Sequence, residues 1–320
     1  MPYKNRSTGL VIFGLLTILL GCLSGLLVPL ILFGQAMSAK TTDTPLPFST
    51  ILPGILMYGI LAVALVWLGI GSILARRWAR ALLLIFSWSW LILGVFVLVF
   101  MAFLLPKMLT NISAGGTPGH PGLPPAAMVT MMVFMFLIFG VLFVLLPGVW
   151  TFFYNSQHVK ATCEARDPVR RWTDTCPLPV LAFCLWSLFS ALTLLVMPFM
   201  AHGVTPFFGM FLTGLPGTLF YLAQAVIWSL AAWLLYKLDQ RGWWLILIFL
   251  GVFMASALLT YARHDILEMY RLMGYPEAQI AQIQKTGLLT GNRMNWITLF
   301  SMLPLLGYLL YVKKFLRRSS

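Results

Sequence analysis

Charge is what this sequence has least of. Asp, Glu, Lys and Arg make up 9% of its 320 residues, against about 25% in a soluble domain. With 60% of its residues hydrophobic, a water-soluble chain of this length is excluded, and lipid is left as the main solvent. The eight acids also avoid the apolar runs. Asp43 lies between the first two runs, and Glu164, Asp167, Asp174, Asp239, Asp265, Glu268 and Glu277 all lie in connections. Buried charge is the mark of pumps, proton relays and ion-coupled carriers, because taking an ion into lipid is costly. Its lack here disfavours ion-driven transport.

Cysteine is scarce too. Four are present and none forms a Cys-x2-Cys pair, which removes the usual zinc frameworks. No Gly-x-Ser-x-Gly, His-Glu-x-x-His, Walker-type loop or dinucleotide fingerprint occurs, so neither an enzyme nor a cofactor is the expectation.

What the chain does have is long apolar runs. Eight are placed near 9–34, 51–75, 81–105, 127–153, 178–200, 217–237, 243–262 and 296–312. At about 1.5 Å per residue each reaches across about 30 Å of hydrocarbon as a helix. The runs are continuous rather than alternating, which favours helices over a barrel. The first follows Lys4 and Arg6 but is too long for a signal's apolar region, so it is read as a retained helix.

The net charge of +13 follows from topology. Alternate connections hold 15 of the 21 Lys and Arg residues, which puts both termini in the cytoplasm, with a bacterial inner membrane the expected location. The basic residues sit at helix ends, suited to anionic headgroups, and form no nucleic-acid-binding domain. Membrane lipids are the expected partners, and nucleic acid is not.

The chain also repeats itself. Residues 52–86 align without a gap on 215–249, with 11 identities in 35 positions. Leu52-Pro53-Gly54 matches Leu215-Pro216-Gly217, Tyr58 matches Tyr221, and Ile85-Phe86 matches Ile248-Phe249. Leu146-Pro147 recurs as Leu303-Pro304. Four spans per copy return the chain to the same side, so the repeats are parallel rather than inverted. The expected fold is an all-α integral membrane protein of two four-helix repeats, 1–153 and 178–320, joined by a cytoplasmic linker, 154–177.

The connections differ between copies. Residues 106–126, rich in Gly and Pro, form no regular element. Their counterpart 263–295 reads as a short helical hairpin on the outer face. There Ile266, Met269, Tyr270 and Met273 share one helical face, Gly274 ends that helix, and Pro276 starts another. This apolar stripe is the candidate surface for a protein partner, although packing on the protein's own helix ends is the plainer reading. Pro53 and Pro216 are placed at helix starts. Pro147 and Pro304 fall inside the fourth and eighth spans and should kink them, which makes them candidate hinges.

Few residues suggest chemistry. Gln224 is the one strongly polar side chain well inside a span, one turn beyond Tyr221. The pair is a candidate intramembrane polar contact, with an interhelical hydrogen bond the plainer role. His158, Cys163 and Cys176 in the linker are candidate metal ligands, but free thiols fit their spacing better. His202, His264 and Asp265 would have to cluster for a membrane enzyme acting on a lipid-soluble substrate.

The expectation is a non-catalytic accessory, assembly or lipid-interacting component. The alternative is a carrier or channel for neutral or amphipathic molecules through the repeat interface. Topology is directly testable. Reporter fusions at Arg171 and Ser320 should report the cytoplasm, and fusions at Gly119 and Lys285 the outside. Opposite locations for Arg171 and Ser320 would show that the span count is wrong.

Overall fold

A computed structural model describes residues 4–41, 48–114, 125–285 and 292–316. Residues 115–124, with His120, and 286–291 of the outer segment lie outside the described residues. Eight helices are long and apolar enough to cross a membrane, the architecture of an all-α integral membrane protein. The chain divides into two compact units, Met1–Thr175 and Cys176–Ser320, and four candidate spans fall in each.

In the first unit, α1 (Ser7–Thr41) and α2 (Phe48–Ile73) pack along their length. Glycines permit this. A Cβ on Gly14 would lie 2.8 Å from the Gly69 carbonyl oxygen, and one on Gly69 would lie 2.7 Å from that of Gly14. Lipid offers no hydrophobic drive between helices, so close backbone approach supplies the dispersion contact that does hold them. Pro53 lies inside α2 rather than at its start. The helix begins five residues earlier, and the only bond lost is the one Pro53 would have donated to Ser49, near the helix end where few bonds depend on it.

Contrary to the expectation of no regular element over 106–126, α3 (Arg77–Ala114) carries helix to Ala114. From Pro125 one continuous helical path runs through α4 (Pro125–Gly140), a π-helical turn (Val141–Leu145) and α5 (Leu146–Asn155). Pro147 explains the turn. It has no N–H for the carbonyl of Phe143, and its ring crowds that oxygen, so the backbone widens just before it. Leu146 accordingly donates five residues back, to the Val141 carbonyl. Gly94 of α3 faces the Phe143 carbonyl, where a Cβ would stand only 1.9 Å from its oxygen. The unit is closed by Tyr154, fully buried, whose hydroxyl lies 2.7 Å from Ser72 Oγ. Ser72 donates to the Leu10 carbonyl, so α1, α2 and α5 meet at one bond chain. Phe13 stacks on Phe153 and meets Trp150 edge-on above it.

The stretch 156–175 is built rather than bare. It holds α6 (Gln157–Arg166) and a single 3-10 turn at Trp172–Asp174, both on the first unit's side of the division.

In the second unit α7 (Leu178–Met200), α8 (Gly214–Tyr236), α9 (Gln240–Arg263) and α12 (Asn292–Lys313) are the candidate spans. Their core gathers Val180, Phe183, Leu235, Trp243, Ile246 and Leu309. Pro304 lies inside α12. Short helices α10 (Ile266–Leu272) and α11 (Glu277–Lys285) follow α9, with Gly274 at φ +79° in the turn between them.

Between α7 and α8 lies a two-stranded antiparallel hairpin, β1 (Thr205–Phe207) and β2 (Met210–Leu212). Its two-residue turn, Phe208-Gly209, has positive φ at both positions, 40° and 90°, as such hairpins require. Gly203 before it and Gly217 of α8 touch backbone to backbone, since a Cβ on Gly217 would fall 1.6 Å from the Gly203 oxygen.

Two substitutions test these approaches. Gly94→Ala and Gly217→Ala should each destabilise the purified protein by about 1–3 kcal/mol through overpacking. Gly251→Ala, whose Cβ would meet nothing within 4 Å, should be neutral or better. Thermal melting in detergent gives the comparison.

Candidate functional site

Two polar assemblies stand out, one at an end of each unit. In the first unit the N-terminus of α3 is joined by ion pairs to α6 and the residues after it. Asp167 is 2% exposed. It lies 3.7 Å from both Arg76 and Arg171 and accepts from the backbone N–H of Arg77 at 3.3 Å. Arg77 also reaches Glu164 at 3.7 Å and Asp174 at 3.5 Å. Asp174 in turn accepts from the Arg171 N–H, which caps the 3-10 turn. A buried carboxylate is tolerable only when cations and N–H donors surround it, and here both do.

The chain's beginning is tied to the same end. The N–H of Arg6 donates to Thr162 Oγ1, and that of Lys4 to His158 Nδ1. His158 is exposed, while Cys163 and Cys176 are buried and unpaired with any disulfide partner. Burial pushes both thiols up to about 11. Cys163 belongs to the first unit and Cys176 to the second. Among the described residues no three His, Cys, Asp or Glu side chains converge as a metal site. The arrangement supplies cohesion: oppositely charged groups from successive connections neutralise one another beside the spans.

In the second unit the hairpin is pinned from three elements. Phe208 and Gly209 donate their N–H groups to Ser256 Oγ and Thr260 Oγ1 of α9, at 2.8 and 3.0 Å. Tyr221 of α8 donates its hydroxyl to the Val204 carbonyl at 2.7 Å. His264 bridges Glu268 at 2.9 Å and the Gly209 carbonyl at 3.1 Å. Both partners are acceptors, so the imidazolium form satisfies both and a neutral ring only one. Asp265 does not pair with His264; its carboxylate caps α10 by accepting from Leu267. His202 is exposed at φ 51° in the turn before the hairpin.

The apolar stripe lies beside this assembly. Ile266 is 4% exposed, and its neighbour Leu267, outside the expected stripe, is equally buried. Met269 receives a long contact from the Tyr261 hydroxyl, Tyr270 meets Tyr275 edge-on, and Met273 is half-buried past the helix end. Gln224 is 4% exposed and its amide nitrogen has no hydrogen-bond partner among the described residues. Tyr221 and Gln224 are therefore differently engaged: one holds the hairpin, the other keeps a donor to offer.

Ser256 and Thr260 were not among the residues the sequence singled out. Their i, i+4 spacing on α9 was visible, but hydroxyls in a span ordinarily bond their own helix, and Thr260 does so as well. Comparison of the chain with family models, curated proteins and solved structures finds no match in any of the three.

The ionic assembly generates a linked pair of measurements. Asp167→Ala should lower stability by about 2 kcal/mol, since the Arg77 N–H and two guanidinium groups lose their acceptor. Peptide mapping should show Cys163 labelled slowly by maleimide at neutral pH in the native protein, and markedly faster in Asp167→Ala. Equal labelling in both would mean that Asp167 does not hold α6 in place.

Proposed function

We propose that this chain is a non-catalytic, multi-pass component of a bacterial cytoplasmic membrane, working through contacts with lipids and with a protein partner. The two four-helix units are read as products of duplication arranged as parallel repeats, with both termini cytoplasmic. The gapless match of 52–86 to 215–249 and the bias of Lys and Arg to alternate connections support these points.

One observation carries the reading: where the polar groups are used. At the end of each unit they bind the protein to itself, through Asp167 in one and through Ser256, Thr260 and His264 in the other. The spans meanwhile present bulky apolar side chains outward, Phe152 at 85% and Phe199 at 81% exposure among them. Such a surface suits partners in the membrane plane. The half-buried Met269, Tyr270 and Met273 extend it to the polar boundary, where a protein partner is expected to dock.

The π-helical turn before Pro147 favours a second reading, a carrier for neutral or amphipathic molecules, because such turns break a span's regularity where a pathway needs it. Reconstitution separates the two. Liposomes holding the protein should pass glycerol and short-chain alcohols no faster than protein-free vesicles. Saturable flux, altered by Pro147→Ala, would replace the first reading with the second. In native membranes, Met269→Ser with Tyr270→Ser should abolish in-plane crosslinks to a partner while leaving the melting temperature within a few degrees.

A further inference from the structure

We infer that the second unit holds one anionic phospholipid along α9 and α12, a site that rests on the lipid-binding reading above. Its polar part lies where α8 turns into α9. Lys313 stands 4.4 Å over the ring of Trp243 and 5.6 Å from that of Trp244, and Lys237 stands 3.7 Å over Trp233. Arg241, in the first turn of α9, is exposed. Trp243 is a fixed platform, 2% exposed, with its indole N–H donated to the Leu309 carbonyl at 2.8 Å.

Lys237, Arg241, Lys313 and Lys314 enter no ion pair among the described residues. The nearby acid, Asp239, is engaged in capping α9 through the N–H of Arg241. In the first unit Glu164, Asp167 and Asp174 pair with Arg76, Arg77, Lys160 and Arg171; at this end of the second unit the described residues form no ion pair.

Below the cations is an apolar groove of about 310 Å³, lined by Leu247, Leu250, Gly251 and Met254 of α9 and by Met302 and Leu306 of α12. At about 1.5 Å per residue it starts about 6 Å along α9 from Trp243 and reaches about 16 Å, roughly one leaflet's depth of hydrocarbon. Gly251 opens it, since a Cβ there would meet nothing within 4 Å. Unpaired cations and amphipathic rings above an apolar groove about 10 Å long match a phosphate headgroup with part of an acyl chain beneath it. Charge complementarity selects an anionic lipid over a zwitterionic one.

Native mass spectrometry of the full-length protein, in micelles with equal phosphatidylglycerol and phosphatidylcholine, tests the site. The protein should retain phosphatidylglycerol preferentially. Arg241→Gln and Lys313→Gln should each cut that preference about fivefold. Gly251→Leu fills the groove without disturbing the backbone and improves helix propensity; it should reduce retention of both lipids. Inorganic phosphate should not compete, and competition would reassign the site to a free anion.

No preference in the parent protein, or a preference unchanged in the charge variants, overturns the proposal. So does undiminished retention in Gly251→Leu. Should a charge variant fail to fold, Lys237→Gln in the exposed turn supplies the same comparison. Solute flux in liposomes would defeat the broader reading without touching these ratios, so the two failures are distinguishable.

Discussion

Desolvation of charge and of backbone polar groups shapes this molecule more than any other term. A lone ion in hydrocarbon is costly, and so is an unpaired N–H or carbonyl. The eight spans comply by carrying Lys, Arg, Asp and Glu only near their ends. Once there, the groups become useful. Asp167, buried at the junction of α3 and α6, is tolerated only because Arg76, Arg171 and the Arg77 N–H surround it.

The same constraint explains the local irregularities. Pro147 strands the Phe143 carbonyl, and the π-helical turn with glycine at position 94 is the accommodation. The hairpin turn at Phe208-Gly209 would expose two backbone donors, and hydroxyls from α9 receive them. At the hairpin, backbone donors that water would satisfy elsewhere are satisfied by protein. Glycine recurs wherever that requires backbones to touch, as at Gly14 against Gly69 and Gly203 against Gly217.

The two units use charge differently. The first gathers acids among its cations beside α6, so its charges serve cohesion. The second holds Lys237, Lys313 and Lys314 over aromatic rings, with Arg241 exposed nearby and one acid already engaged in a helix cap. Cations held over rings and left without carboxylates are available to an outside anion. That contrast distinguishes a structural charge cluster from a recognition surface, although both read simply as basic helix ends in the sequence.

Hydrophobic run length by itself determined the eight spans, because crossing the hydrocarbon is a local requirement on about twenty consecutive residues. Local chemistry also made legible the end of α10 at Gly274 and the start of α11 after Pro276. The tertiary structure decided the rest. Whether Asp167 or Asp265 is a site residue, an ion-pair partner or a helix cap depends on what lies across from it. The stretch 154–177 read as a linker because its own composition is polar, and α6 became visible only with the arginines of α3 opposite. The hairpin escaped notice because three-residue strands carry almost no periodic signal, and its stability comes from Ser256, Thr260 and His264, some fifty residues away. Lipid solvation is written residue by residue, whereas pairing is written between residues distant in the chain and is settled only when the helices meet.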